Sequence, residues 1–155
     1  MGTGVVVQVN ISNGGVPKLP IELAVVNSLG IVGDKHLYQQ HGGPRKALLL
    51  MAAELVDTLR TEGFSVFYGA LGENVTVEGL PQNEWAAGQR YRIGNVLVEL
   101  TEMRAPCRKL NPYGAGIQKR IKGGCGFYAA VLENGVIRAG DTIQLVDPVV
   151  TYALS

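Results

Sequence analysis

Apolar positions along this chain recur mostly in short runs divided by glycine. "GVVVQVNI", residues 4–11, is rich in β-branched residues and predicts a strand. "IELAVVNSLG", residues 21–30, holds a second short strand that ends at Gly30. "KALLLM", residues 46–51, is an unbroken apolar run of strand length and predicts a buried strand. The period then changes. In "AAELVDTLRTEG", residues 52–63, Ala52, Leu55, Val56 and Leu59 share one helical face, and Glu54, Asp57 and Arg60 lie elsewhere. Gly63 is a helix stop.

Beyond the helix the strand pattern returns in "ENVTVEG", "QRYRIGNVLVELTEM" and "GFYAAVLENGVIRAGDTIQLV". A turn is expected at Gly94-Asn95. Asn134-Gly135 between apolar runs is a strong hairpin signal. Short strands at close spacing with glycine turns predict a barrel or a folded-over sheet. The expected architecture is one mostly-β domain over residues 1–155, with one or two helices. No internal repeat, low-complexity stretch or linker divides it.

Composition adds three limits. A chain of 155 residues is long enough for a real core. Its formal net charge of +1 argues against a nucleic-acid binder. The charge is uneven, however. Residues 101–125 carry Arg104, Arg108, Lys109, Lys119, Arg120 and Lys122 against Glu102 alone, a local +5 that leaves −4 on the rest. Such a segment suits a small anionic ligand better than a long polyanion. The start, "MGTGVVVQVN", lacks the basic region of a secretion signal, and "ALLLMAA" is too short to cross a bilayer. Two cysteines eighteen apart make no disulfide framework and no zinc spacing. The reading is a soluble cytoplasmic protein with reduced thiols and no membrane contact.

Four stretches could carry chemistry. In "TEMRAPCRKL" Cys107 sits among Arg104, Arg108 and Lys109. The thiolate is the nucleophilic and metal-binding form, and nearby cations favour it. A buried thiol with its arginines in water is the alternative, and local chemistry leaves the two balanced. Cys125, between glycines in "GGCGF", reads as structural. In "GDKHLYQQHGGPRKALLL" His36 and His41 are the chain's two histidines, Gly42-Gly43-Pro44 permits close backbone approach, and Arg45 and Lys46 can meet an anion. Asp34 with the histidines suggests a metal site only weakly, since no third ligand has a familiar spacing. In "GALGENVTVEGL" Glu73 and Asn74 stand at a strand entrance. Asn74 can read a heterocycle edge or simply cap the loop. In "NGGVPK" Lys18 is a phosphate candidate, though this is neither a Walker A loop nor a dinucleotide fingerprint.

The order of these stretches, followed by "YRIG" and "GFYAAVLENGVIRAGD", resembles the MOSC family, the domain related to the C-terminal part of molybdenum cofactor sulfurases. The likeness runs from about residue 4 to residue 146, and the small size looks like that of the stand-alone bacterial members. "GEN-T-EG" and "R-x-P-C" are its most distinctive parts. Arg45 departs from it, since many members carry an acidic residue after the HGGP run.

The resemblance implies a β-barrel-like fold that binds molybdenum cofactor (molybdopterin), with Cys107 as metal ligand. Lys18, His41, Arg45, Glu73, Asn74, Arg104, Arg108 and Lys109 become candidates for holding that cofactor. The implied activity is reduction of a small N-hydroxylated or N-oxygenated molecule. Electrons would come from a separate redox protein, because no flavin, haem or iron–sulfur motif is visible. The alternative implied role is a sulfur-carrier module with a persulfide on Cys107, charged by a sulfur donor. A homodimer is compatible with either.

Overall fold

A computed structural model describes residues 2–35 and 43–146. His36 and His41 fall outside these residues. The architecture is mostly β, as expected. The strands are β1 (Thr3–Ile11), β2 (Leu19–Ile21), β3 (Ala24–Asn27), β4 (Gly30–Ile31), β5 (Leu48–Ala52), β6 (Val75–Glu78), β7 (Arg90–Ile93), β8 (Val96–Met103), β9 (Phe127–Glu133), β10 (Gly135–Ile137) and β11 (Thr142–Leu145). Helix α1 (Ala53–Thr61) follows β5, and a shorter α2 (Ile117–Ile121) precedes β9. Short 3-10 segments occupy Pro44–Lys46, Gln82–Glu84 and Arg108–Tyr113.

Seven strands close into a barrel in the order β11, β7, β8, β9, β5, β6, β1, with β1 pairing back onto β11. Long β1 makes the closure. Thr3–Val5 pairs with β11, Val5–Val9 with β6 across a bulge, and Val9–Ile11 with β2. All these pairs are antiparallel except β5–β6, whose parallel register is allowed by the α1 crossover. β3, β4 and β10 form a small second sheet.

Every residue of β5 is buried, which explains its unbroken apolar sequence. Leu48 and Leu50 fill the barrel interior with Val6, Val75, Ile93, Leu100 and Ile143. Met51 joins a second core beneath α1, with Val56, Leu59, Leu71, Leu110, Ile121 and Cys125. Of the face predicted for α1, Val56 and Leu59 are buried and Leu55 is half-buried, whereas Ala52 belongs to β5 and Ala53 is buried in its place. The helix ends as expected, with the Gly63 N–H donating to the Arg60 carbonyl at 3.1 Å.

Two expectations fail. The strand read within residues 21–30 does not end at Gly30, because β3 stops at Asn27 and Gly30 opens β4. Asn134-Gly135 is no hairpin turn, because β9 pairs with β8 and β5 whereas β10 leaves for β3. Neither residue has the positive φ that a type I′ turn requires. The glycine serves close approach instead. A Cβ on Gly135 would overlap Asn95 Oδ1, the atom that accepts the Val136 N–H at 2.9 Å.

Ile143 lies at the barrel seam, paired with Gly4 on one side and Ile93 on the other, and is fully buried. Ile143→Ala should cost about 2–5 kcal/mol, read as a lower urea midpoint with an unchanged far-UV spectrum. A change near zero would mean that the seam does not limit stability.

Candidate functional site

The loops at one end of the barrel enclose a cleft. Its walls come from the β1–β2 loop (Gly15, Val16, Lys18), Lys35 after β4, Lys46 and Leu49 at the start of β5, and Gly72 and Asn74 before β6. Arg104, Ala105 and Cys107 after β8 and Tyr128 of β9 complete it. The solvent-reachable interior measures about 70 Å³, room for a few waters or one oxyanion. Four of the lining side chains are cationic: Lys18, Lys35, Lys46 and Arg104.

Below the cleft lies a buried polar network. The Lys18 ammonium donates to both oxygens of Asp34, at 2.7 and 2.8 Å. Side-chain exposure is 8% for Lys18 and 2% for Asp34, so this ion pair is shielded from water. The Asp34 carboxylate also accepts from the Ser12 N–H at 2.9 Å and from Asn74 Nδ2 at 2.9 Å. Asn74 is used on every side. Nδ2 also donates to the Asn10 carbonyl at 3.2 Å, and Oδ1 accepts from the Leu49 N–H at 3.0 Å. Backbone bonds between Asn10 and Asn74 and between Asn74 and Leu49, both 2.8 Å, complete the stitch. The amide therefore ties three segments together, in keeping with the capping alternative.

Glu73 is fully buried behind the cleft wall. Its Oε2 accepts from the Gly69 N–H at 3.0 Å and the Thr76 hydroxyl at 2.9 Å, whereas Oε1 has no partner. Burial holds this carboxyl above the usual carboxylate range; the Gly69 and Thr76 donors and the charge of Arg104 oppose the shift without cancelling it. Gly69 has φ +98°, and a Cβ there would overlap the Lys18 carbonyl, so the "GALGEN" turn packs directly onto the Lys18 segment.

Arg104 is buried. Its Nη1 donates to the Leu71 carbonyl, and its backbone N–H donates to Gly126 O at 3.0 Å. Both thiols are free; Cys107 is half-buried in the cleft wall and Cys125 is buried in the second core. Burial pushes the Cys125 thiol up, with Arg104 pulling the other way. Burial likewise raises the Tyr128 hydroxyl, again against Arg104. Lys46 Nζ sits 5.0 Å from the Tyr128 ring centre, within cation–π range.

Of the residues singled out in the sequence, Lys18, Asn74, Arg104 and Cys107 meet in the cleft, with Glu73 directly behind. Arg45 is exposed, and its carbonyl accepts the Thr101 hydroxyl at 2.7 Å; its neighbour Lys46 faces the cleft instead. Arg108 and Lys109 are exposed on the 3-10 turn after Cys107 and do not line the cleft. Lys35 and Tyr128 had no sequence signal beyond residue type, and Asp34 was singled out only beside the histidines, because strand register alone brings these residues to this end. Among the described residues no cluster of three or more His, Cys, Asp or Glu could hold a metal. No described helix is long and apolar enough to cross a membrane.

The family model described as the MOSC domain matches residues 38–144. A protein of Gibberella moniliformis described as "Reductase" is 31% identical over 132 residues, covering 78% of this chain and 23% of its own length. The chain spans less than two thirds of the length of the curated relatives it matches. Among solved structures, YiiM from Geobacillus stearothermophilus is 27% identical with TM-score 0.77, covering 93% of this chain and 75% of that one. The YuaD protein from Bacillus subtilis shares the fold at 17% identity and TM-score 0.79, covering 92% of this chain and 95% of that one.

Two measurements check this geometry. Iodoacetamide on the native protein should label Cys107 alone, and Cys125 only after denaturation; peptide mass spectrometry showing both labelled at equal rates would contradict the burial. For Glu73, the folded chain holds its proton above the pH at which the unfolded chain releases it, so this group's contribution to stability falls as pH rises above the usual carboxylate range. Glu73→Gln should therefore gain stability relative to wild type between pH 5 and pH 8 in urea denaturation. A pH-independent difference would remove the assignment.

Proposed function

The chain belongs to the MOSC domain family, and from that premise we propose that it binds molybdenum cofactor and reduces small N-hydroxylated or N-oxygenated molecules, with Cys107 as the metal ligand. The family is associated with this cofactor and with reductase activity. The observation that carries the reading is the union, in one cleft, of a half-exposed free thiol and four cationic side chains.

The residues fit the group by their chemistry. A thiolate suits a soft metal, and molybdenum takes thiolate sulfur well. Cys107 is the donor, on a segment fixed by the Arg104–Gly126 backbone bond on one side and the buried Leu110 on the other. The cofactor's phosphate needs charge-assisted donors, which Lys18, Lys35, Lys46 and Arg104 would provide. When bound, the cofactor supplies two-electron oxygen-atom transfer. The chain supplies the rest: Lys18 and Arg104, both buried, offer donors at low entropic cost, and the tight cleft limits water around the reacting group. Electrons reach the site from a separate redox protein.

The half-exposure of Cys107 also suits a sulfur carrier, which must meet a donor persulfide at the surface. Protein from a cofactor-competent host decides between them. Elemental mass spectrometry should find molybdenum in wild type and at least about tenfold less in Cys107→Ala. Equal metal in both sinks the ligand role. A transferable sulfur on Cys107, with no molybdenum and no reduction of an N-hydroxylated base, favours the carrier.

A further inference from the structure

Asp34 touches no part of the cleft surface, yet two residues that do, Lys18 and Asn74, are both bonded to it. We propose that Asp34 is a positioning residue for the cleft: it turns Lys18 from a mobile cation into an oriented donor and so sets the affinity of the cleft for a phosphate-like oxyanion. This rests on the reading of the cleft as the seat of an anionic group.

The chemistry is local. A lysine on the surface samples many rotamers, and fixing one costs conformational entropy. Here that ordering is done by the fold. Two of the three ammonium N–H groups are held by the two Asp34 oxygens, at 2.7 and 2.8 Å, which leaves one for the cleft that Lys18 lines. The carboxylate is itself fixed by the Ser12 N–H and by Asn74 Nδ2, both at 2.9 Å. Its two oxygens accept four hydrogen bonds in all, close to their full capacity. Asn74 in turn is pinned by the Asn10 carbonyl and the Leu49 N–H. Motion of Asp34 is therefore resisted by β1, by β5 and by the entrance to β6 together.

The alternative is that Asp34 merely neutralises Lys18. The two ideas give opposite signs. Removing the negative charge by Asp34→Asn makes the cleft more positive by one unit, and simple electrostatics then tightens anion binding. Positioning predicts the reverse. Asparagine puts an N–H where a carboxylate oxygen met the ammonium or the Asn74 amide, so Lys18 loses its orientation and is left buried without its counter-charge.

The test needs no bound cofactor. Cys107 lines the same cleft of about 70 Å³, so an oxyanion lodged there should slow its alkylation by iodoacetamide. Half-protection by inorganic phosphate, at ionic strength fixed with potassium chloride, is measured on the full chain. Lys18→Met and Asp34→Asn should each raise that concentration about tenfold. The double variant should also stand near tenfold rather than a hundredfold, because Asp34 acts through Lys18. Unchanged or tighter phosphate binding in Asp34→Asn overturns the proposal, and so does additive loss in the double variant. Thermal melts identify folded variants. If Asp34→Asn does not fold, Lys18→Met against Lys18→Met/Asp34→Asn still decides, since the double variant buries no unpaired charge: equal concentrations support positioning, and a tenfold difference overturns it. Failure of phosphate to protect wild type overturns both this proposal and the anionic reading of the cleft. Protection of wild type with no effect of Asp34→Asn overturns the positioning role alone.

Discussion

Everything at the functional end of this molecule depends on the closure of the barrel by β1. One nine-residue strand holds β11 with its first residues, β6 with its middle and β2 with its last. That division of partners leaves Ser12 to Lys18 at the same end of the barrel as the loops that carry Asp34, Asn74 and Cys107. Without the seam the sheet would splay, and no short-range preference of the chain would bring those loops together. The bulge between Val6 and Gln8 belongs to the same economy, because it lets a single strand change neighbours without losing its inward-facing Val6 and Val9.

The second constraint is electrostatic. The described structure buries Lys18, Asp34, Glu73 and Arg104 around one cleft, and a buried charge is costly unless it is paired or neutralised. Each is handled differently. Lys18 and Asp34 pair with each other, and Ser12 and Asn74 fix the carboxylate. Arg104 spends a donor on the Leu71 carbonyl. Glu73 keeps an oxygen unpartnered and is pushed toward its neutral form. The cleft therefore offers positive charge on a rigid frame, with its negative groups turned inward onto protein donors. In this MOSC-family chain an electropositive frame and a free thiol thus share one cleft.

Much of the fold was legible in the sequence. Periodicity alone found β1, β5, α1 and its buried face, because those patterns are set by which side of an element meets the core. The glycine-punctuated runs correctly implied a barrel. Asn134-Gly135 misled for a clear reason: the same dipeptide serves a turn or a close approach, and the choice lies with Asn95, some forty residues away. The site was legible in part. Residue chemistry pointed to Cys107, Lys18, Asn74 and Arg104, all of which reach the cleft. It could not separate Lys46, which faces in, from Arg45, which faces out, because one residue of rotation on a 3-10 turn decides that. Nor could it find Asp34 as the hub, since the register that joins residues 12, 18, 34 and 74 exists only in the closed barrel.

The cleft draws its walls from Gly15 at one extreme and Tyr128 at the other, and the seam that fixes them needs β11. No early portion of the chain can therefore make a partial version of it. During synthesis the thiol segment emerges before its last wall does, and the site takes shape only after Leu145 has left the ribosome. Any ligand it holds must then enter a barrel that has already closed.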